Sequence, residues 1–269
     1  MALFESRKIR EGVYCILDKD EDSFYLVEGD RFAAVIDTGI TEGEKIVPVL
    51  RQHTDKPLVL ILTHAHIDHM HHMDEFDTVY MCHDELTMPK DWLLSHMAGK
   101  ELDLEATIHI DTGSKIDLGG RVLEICKVPG HTPGSIAVYD AKEDIVFTGD
   151  AIGSGCGVWM QLIGCTSLVE YENSLRQFLL WLLEHGGKME FWSGHCTQYS
   201  QSKKIPEYNP VSVGLLADLI DLVRKVIDGD IVGDVIDLPP HVRVREARYA
   251  AYGRAEMLYN PDNVRLCNE

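Results

Sequence analysis

The sequence predicts an α/β fold in which two β layers are covered by helices. Three observations support this prediction. Apolar strand patterns fill the first forty residues, and a second group of strand patterns lies between residues 121 and 148. Each group leads to a strand, a loop with polar residues and a helical pattern. The 269-residue chain has no low-complexity linker, so we expect a single domain over residues 1–269.

The first half of the chain contains strands with a pronounced apolar character. They are predicted over residues 12–17, 23–28, 32–36, 58–62 and 78–82. The run Leu58–Leu62 is apolar throughout, which is typical of a strand buried on both faces. Residues 42–52 have a helical pattern, in which Pro48 implies a kink or an early helix position. Residues 84–98 are mostly helical, with an interruption near Pro89.

The second half of the chain repeats this outline without detectable sequence repetition. Strands are predicted over residues 121–128, 135–139, 144–148 and 189–193, and two short strands lie between Ala247 and Tyr259 around Gly253. A helix is predicted over residues 166–185 because its apolar residues recur at helical spacing, and Gly186 and Gly187 end it. Residues 211–227 form a second amphipathic pattern.

The composition excludes several classes of protein. The formal net charge of -19 opposes binding to a nucleic-acid backbone, which needs clustered lysine and arginine. We find neither a secretion signal nor an apolar run long enough to span a membrane, so no membrane partner is expected. The seven cysteines are scattered without a C-x-x-C pair, which indicates free thiols in a reducing cytoplasm.

The segment Thr63–His69 is the strongest chemical signal in the sequence. It follows the buried strand and presents three histidines and one aspartate within a few residues. Neutral imidazole and carboxylate are the ligands that first-row divalent metals prefer. The segment therefore predicts a metal site at the end of a strand.

Three later segments place further candidate ligands directly after strands. His131 lies in a loop stiffened by two prolines and bounded by two glycines. Asp150 follows the apolar strand over residues 144–148, and His195 follows the strand over residues 189–193. Each is weak evidence alone, but together with the first segment they predict a larger metal centre.

Taken in order, these motifs resemble the metallo-β-lactamase superfamily. They are Thr63–His69, Gly130-His131-Thr132-Pro133-Gly134, Thr148-Gly149-Asp150 and Gly194-His195. The resemblance spans about residues 12–200, and a C-terminal helix and strands over about 205–262 would complete the domain. It implies a four-layer αββα sandwich with the site at one edge, between the two sheets.

The resemblance also implies how two divalent metal ions are held. It implies His64, His66 and His131 on one metal, and Asp68, His69 and His195 on the other, with Asp150 bridging. Asp37, in the run Val35–Gly39, also matches a family pattern and implies a carboxylate that bonds the histidine loop. Zinc suits these ligands, although iron and manganese share them.

One departure from the family concerns the residues after the aspartate-histidine pair. The family commonly has X-Gly-Gly there, whereas this sequence has Met70-His71-His72. Either the helix start tolerates side chains in this subgroup, or His71 or His72 borders the substrate pocket. The glycine-rich segment between Asp150 and residue 168 should also line it, with Trp159 and other apolar side chains, or should form a homodimer contact.

The segment between Asp150 and residue 168 also contains two cysteines. Cys156 and Cys165 are interpreted as ordinary small residues rather than nucleophiles, because a metal centre already supplies a nucleophile. Such a centre would make hydroxide available to attack an electrophilic carbonyl or phosphorus, and Asp68 would orient or shuttle the proton.

The resemblance implies a metal-dependent hydrolase but does not name its substrate. Glyoxalase II-type thioesterases are the nearest comparison, through a loose match over Thr148–Gly157, so we expect a small ester, thioester or lactone. Two alternatives stay open. One is a phosphodiesterase acting on a small nucleotide or phosphoester, and the other is a non-catalytic metal-binding module. The cationic candidates for phosphate contacts are Arg243, Arg245, Arg248 and Arg254.

Overall fold

Two β-sheets, packed face to face, form the centre of the computed structural model. It describes residues 3–96, 102–153, 157–195, 213–238 and 246–265. Three cores separate its layers: one between the sheets and one on the outer face of each sheet. Helices cover both outer faces, so the architecture is the predicted αββα sandwich.

The first sheet has seven strands that follow one another in sequence order. They are β1 (Phe4–Arg10), β2 (Val13–Asp18), β3 (Ser23–Glu28), β4 (Ala33–Ile36), β5 (Leu58–Ile61), β6 (Val79–Met81) and β7 (Ile108–His109). Strands β1 to β4 pair antiparallel, and β4 to β7 pair parallel. The carboxyl ends of the parallel strands therefore meet at one edge, where the histidine segment begins.

The second sheet has five strands, and the two at one border pair in parallel. Its members are β8 (Lys115–Asp117), β9 (Val122–Lys127), β10 (Ile136–Asp140), β11 (Ile145–Gly149) and β13 (Glu190–Ser193). The order is β13-β11-β10-β9-β8, with β13 parallel to β11. Asp150 follows β11 directly and His195 follows β13 closely, so the parallel pairing places both at the same edge.

A third, four-stranded sheet joins the C-terminal residues to the middle of the chain. It contains β12 (Val158–Met160), β14 (Asp234–Ile236), β15 (Ala247–Tyr252) and β16 (Ala255–Tyr259) in the order β12-β16-β15-β14. Strand β12 pairs in parallel with β16. The glycine-rich segment after Asp150, for which no strand was predicted, therefore contains one.

Five α-helices are described. They are α1 (Val47–Leu50), α2 (Ile67–Met70), α3 (Lys90–His96), α4 (Leu168–Glu184) and α5 (Val213–Asp228), with 3-10 helices at Met73–Glu75, His83–Thr87 and Pro261–Asn263. Helix α4 begins with a capping box in which Ser167 and Glu170 bond each other's backbone N–H. Helix α4 packs on the outer face of the five-stranded sheet, and α5 packs against α4 and against strands β15 and β16 of the four-stranded sheet.

Strand alternation explains how the seven-stranded sheet serves two cores. In β3, Phe24 and Leu26 pack toward the helices, whereas Tyr25 and Val27 pack against the other sheet. Because both faces of these strands pack against a core, β3 and β4 are buried almost throughout. The inter-sheet core gives the strand ends a rigid base on which to hold polar side chains.

The structure differs from the sequence expectations at two places and agrees with them at a third. The helix expected over residues 42–52 is reduced to α1, which has Pro48 in its first turn. Strand β1 and the short strands β7, β8, β12 and β14 were not predicted, because isolated short runs carry little pattern. The interruption expected near Pro89 is confirmed, since the 3-10 helix His83–Thr87 ends before it and α3 begins after it.

Three residues named in the sequence analysis lie outside the described residues. They are Cys156, Arg243 and Arg245.

None of the helices in the described ranges is both long enough and apolar enough to cross a membrane.

Candidate metal centre

The histidine segment is fixed to the seven-stranded sheet by a buried aspartate. Asp37 follows β4, has a positive φ of 63° and is 1% exposed. Its Oδ1 accepts a hydrogen bond from the backbone N–H of Thr63 at 2.8 Å, and its Oδ2 accepts from Thr63 Oγ1 at 2.7 Å. The carboxylate thus sets the path of the chain where β5 ends, in the place the sequence analysis expected.

Three of the seven predicted ligands form a group of buried histidines. They are His64, His66 and His131, whose nearest ring nitrogens lie within 4.8 Å of one another. Nε2 of His131 lies 2.9 Å from Nδ1 of His66. Residues from two separate loops, 67 positions apart at their extremes, therefore meet at one point.

The other four predicted ligands form a second group, of mixed character. They are Asp68, His69, Asp150 and His195, and their ligand atoms also lie within 4.8 Å of one another. Asp150 lies between the groups: its Oδ2 is 3.2 Å from Nε2 of His195 and 3.8 Å from Nε2 of His131. The structure thus brings all seven residues together, with Asp150 in a bridging position.

Four of the five histidines have an oxygen beside Nδ1, and His66 is the exception because its Nδ1 faces His131. Nδ1 of His69 lies 2.9 Å from Asp37, Nδ1 of His195 lies 3.0 Å from Asp22, and Nδ1 of His131 lies 2.7 Å from the carbonyl oxygen of Trp159. Nδ1 of His64 lies 3.1 Å from Thr63 Oγ1. An oxygen that holds Nδ1 orients the ring so that Nε2 would serve as the ligand atom, the arrangement typical of metal-binding histidines.

The protonation of the three-histidine group suits metal binding. Burial, together with the neighbouring imidazoles, lowers the pKa of His64 well below its usual range. Burial and His131 lower the pKa of His66 to about 3, and burial also lowers that of His131. Neutral imidazole is the form that binds a cation, so these side chains need lose no proton to do so.

The second group has the opposite electrostatics. Burial acts to lower the pKa of His69, but the carboxylates of Asp68, Asp37 and Asp150 hold it well above its usual range. Burial acts to raise the pKa of Asp150, but His195 and His69 hold it well below its usual range. Carboxylates crowded around two imidazoles therefore favour positive charge at this group, which protons supply when no metal is bound and which a divalent cation would supply instead.

Several buried polar atoms support the fit of a metal at both groups. Nε2 of His64, Nε2 of His66 and Oδ1 of Asp150 make no hydrogen bond among the described residues. Buried polar groups are rarely left unpaired. Gly194 leaves room beside them, since a Cβ there would lie 2.4 Å from Cε1 of His69 and 2.6 Å from Oδ1 of Asp150. The donor set, the unpaired atoms and this space all fit metal cations.

Two supports of the site were not predicted from the sequence. Asp22 is 5% exposed and holds Nδ1 of His195, and burial raises its pKa to about 6. The backbone of Trp159 holds Nδ1 of His131, and β12 is itself held by β16. Asp22 lies in the acidic turn 18–22, which resembles an ordinary exposed turn, and a backbone carbonyl leaves no signal in the sequence.

Both ring nitrogens of His72 are engaged by other parts of the chain. His72 is 4% exposed, and its ring nitrogens lie 2.9 Å from Glu75 and 3.1 Å from the carbonyl oxygen of Thr41. It links the segment after α2 to the chain after β4, and its place at the border of the substrate pocket stays a prediction. His71 is 3% exposed and packs its ring against that of His72.

Aromatic residues lie beside the three-histidine group. The ring of Trp92, on α3, lies 5.2 Å from that of His66. Trp159 is half-buried and adjoins His131 through its backbone. The Cys165 thiol contacts the carbonyl oxygens of His131 and Trp159, and burial raises its pKa to about 12. A thiol with so high a pKa is a poor nucleophile, in agreement with its interpretation as a packing residue.

Comparison with known families agrees with this geometry. The family model of the metallo-beta-lactamase superfamily matches residues 20–187, which is more than half of the chain. The chain belongs to the metallo-beta-lactamase superfamily. It is an enzyme of that superfamily, a metal-dependent hydrolase, with the ligand groups described above at the edge of its sandwich.

Individual relatives of this superfamily member are similar over part of their length. It is 30% identical over 184 residues to the probable metallo-hydrolase YqgX of Bacillus subtilis, covering 61% of this chain and 84% of that protein. It is 26% identical over 190 residues to the acyl-coenzyme A thioesterase MBLAC2 of Bos taurus, covering 56% and 67%. It is 29% identical over 160 residues to a hydroxyacylglutathione hydrolase of Bartonella henselae, covering 58% and 54%.

A solved structure shows the same fold. The metallo-beta-lactamase from Pontibacter korlensis superposes with a TM-score of 0.59 at 18% identity, covering 82% of this chain and 99% of that one. At this identity the likeness shows the fold alone.

Proposed function

We propose that this enzyme hydrolyses a small ester, thioester or lactone with two divalent cations, and that a thioester is the preferred substrate. One observation carries the proposal: seven ligand-type residues from four loops converge in two adjacent groups that share Asp150. A metal-binding module without catalysis would not need a complete second group beside the first. The convergence therefore favours an enzyme.

The residues have distinct roles in this proposal. His64, His66 and His131 would hold one cation, Asp68, His69 and His195 the other, and Asp150 both. Two bound cations would supply Lewis acidity toward a carbonyl oxygen and make hydroxide available near neutral pH. The rest of the work falls to protein side chains, which must orient the attacking group and manage its proton.

Asp68 is the side chain that we assign to proton handling. Its side chain is 29% exposed, which is more than the side chain of Asp150, the other carboxylate of the two groups. Burial acts to raise its pKa, but His69 and His195 hold it well below its usual range. An ionised carboxylate only accepts hydrogen bonds, so Asp68 can orient a water O–H and then pass the proton to a leaving group.

The charges around the site favour a carbonyl over a phosphodiester substrate. Of the four arginines considered for phosphate binding, Arg248 pairs with Glu246 and donates to the carbonyl oxygen of Gly233. Arg254 pairs with Asp218. Both guanidinium groups are thus engaged by neighbouring groups of the chain rather than directed at a phosphate.

Two further features support a thioester. Relatives at low identity carry the names acyl-coenzyme A thioesterase and hydroxyacylglutathione hydrolase, both of which act on thioesters. Trp92 beside His66, together with Trp159 next to His131, offers apolar surface to an acyl group. Neither feature selects a particular acyl chain or thiol.

Zinc and a cytoplasmic location complete the proposal. Imidazole with carboxylate is a common zinc ligand set. Cys15, Cys82, Cys126 and Cys165 are free thiols, which is typical of a reducing compartment.

The proposal is tested by metal analysis of the purified chain, combined with a panel of substrates. The panel contains a thioester and an oxyester of the same acid, a lactone, and bis(p-nitrophenyl) phosphate as the phosphodiester. We expect two metal equivalents per chain and the highest kcat/KM on the thioester. Preference for the phosphodiester would favour the phosphodiesterase, and two bound metals without any turnover would favour the binding module.

A further inference from the structure

A buried glutamate outside both ligand groups joins the two loops of the three-histidine group. Glu85 lies in the 3-10 helix His83–Thr87 after β6 and is 0% exposed. Its Oε2 accepts a hydrogen bond from the backbone N–H of Ala65 at 2.9 Å. Its Oε1 accepts from the backbone N–H of Gly134 at 2.7 Å and from Thr132 Oγ1 at 2.5 Å.

The donors identify what this carboxylate connects. Ala65 lies between His64 and His66, and Thr132 directly follows His131. One side chain therefore spans the gap between the two loops whose histidines meet, and it is bonded on both sides. No sequence motif predicts this role, because Glu85 lies in a charged stretch after a short strand.

The loop around His131 is shaped to let this carboxylate approach. A Cβ at Gly134 would lie 2.7 Å from the backbone N of Glu85 and 2.8 Å from its Cγ, so a side chain there would displace one of the two segments. Thr132 Oγ1 also lies 2.7 Å from Ser135 Oγ, which ties the same turn together. Glycine and two hydroxyl residues thus surround one carboxylate.

The chemistry at the two oxygens requires an acid at this position. Burying a carboxylate is unfavourable unless hydrogen bonds replace its water, and here three donors do so. Burial still raises the pKa of Glu85 to about 7, against the effect of those donors. A glutamine would turn its NH₂ toward either the Ala65 or the Gly134 N–H and leave one donor facing another donor.

We propose that Glu85 is a positioning residue that fixes the distance between the His64–His66 segment and His131, and thereby sets the metal affinity of that group. This inference rests on the metal site of the proposed function. It does not require that a particular substrate be hydrolysed. Hydrogen-bonded partners that orient metal ligands typically change metal affinity by about 10–100-fold when removed.

The test is a titration of the full chain, freed of metal by chelation, with Zn²⁺ and with Co²⁺, whose visible spectrum reports coordination. Three variants define the two binding steps. His66→Ala should abolish the step that belongs to the three-histidine group, and Asp22→Asn should weaken the step that contains His195. Glu85→Gln should weaken the His66-dependent step by about 10–100-fold and leave the other step nearly unchanged.

The matched control is Glu172→Gln. Glu172 is also buried, at 2% exposed, but it joins α4 to α5 by accepting from Arg176 and Arg224. This variant should lose stability while both metal affinities stay at the wild-type values. Equal losses in the Glu85 and Glu172 variants would mean that Glu85 acts on general stability alone, which overturns the proposal.

A milder variant tests the positioning role of Glu85 if Glu85→Gln does not fold. Thr132→Val removes the hydroxyl donor and keeps the two backbone donors, so it should weaken the same His66-dependent step by a smaller factor. Unchanged affinity in a folded Thr132→Val or Glu85→Gln chain refutes the positioning role. A wild-type chain that binds two cations but hydrolyses no ester refutes the proposed function and leaves this test intact.

Discussion

Oδ2 of Asp37 lies 2.9 Å from Nδ1 of His69, while the same carboxylate holds the backbone of Thr63. One buried side chain therefore fixes the start of the histidine segment and the orientation of a ligand near its end. Asp37 adopts a positive φ to do this, a conformation that aspartate and asparagine tolerate better than most residues. The strain is local and is compensated by these hydrogen bonds.

Replacing Asp37 by asparagine should damage metal binding without unfolding the chain. Asparagine tolerates the backbone conformation, but its NH₂ group would face either Thr63 or His69, both donors. We expect the metal affinity of the group containing His69 to fall by about 10–100-fold in a titration of the metal-free chain. Asp144→Asn is the control, since Asp144 has a φ of 53° and is remote from the ligands. Equal losses in both variants would contradict this account.

Asp68→Asn should affect substrates according to their leaving groups. If Asp68 passes a proton to the leaving group, its loss matters more for an alkoxide than for a thiolate, because a thiol has a pKa of about 8.5. With metal supplied in excess, we expect kcat on an oxyester to fall by about 10²–10⁴-fold, and kcat on the thioester of the same acid to fall less.

The ratio of the two rates within one variant removes the effect of incomplete metal loading. Asp22→Asn provides the comparison, because Asp22 contacts His195 and should lower both rates by the same factor. A constant oxyester-to-thioester ratio in Asp68→Asn would show that Asp68 serves only as a ligand or an orienting group.

Cys165→Ala should retain turnover within about threefold of wild type, since burial raises the pKa of this thiol to about 12 and removes its nucleophilic form. The measurement is kcat/KM at a fixed metal content. Iodoacetamide should likewise leave the folded enzyme active. A loss of activity comparable to that of His66→Ala would assign the thiol a part in the chemistry.

Arg121 should be a major determinant of stability away from the site. It is 2% exposed, donates to the carbonyl oxygens of Gly12 and Glu28, and lies 3.5 Å from the fully buried Asp140. Arg121→Leu leaves that carboxylate unpaired in the interior, so the free energy of unfolding should fall by about 3–5 kcal/mol. Chemical denaturation measures it.

Arg31→Leu is the matched control for this experiment. Arg31 pairs with Asp117, but both side chains are more than half exposed, at 62% and 59%. Exposed ion pairs contribute about 0–1 kcal/mol, so this variant should unfold near the wild-type midpoint. Comparable destabilisation of the two variants would rule out burial as the cause.

Local sequence patterns were sufficient for much of the fold and for the seven ligand-type residues. Continuous apolar runs such as β5 indicate strands buried on both faces, and histidine and aspartate directly after such runs have few structural explanations. The carboxylate at Asp37 was also expected, from its position in a family pattern.

The unpredicted features all depend on contacts between distant parts of the chain. Strand β12 exists because it pairs with β16, about a hundred residues later. Asp22 and Glu85 lie in short charged stretches that look solvated until tertiary packing buries them. The contacts of His72 with Glu75 and the carbonyl oxygen of Thr41 were likewise not predicted.

Two-metal hydrolysis is measured most directly by the rate of thioester hydrolysis as metal is returned to the chelated enzyme in measured equivalents. We expect no turnover without metal and a rate that reaches its plateau at two equivalents per chain, with His66→Ala inactive throughout. Full turnover in the presence of chelator, or a metal-loaded His66→Ala chain as active as wild type, would refute a two-metal mechanism.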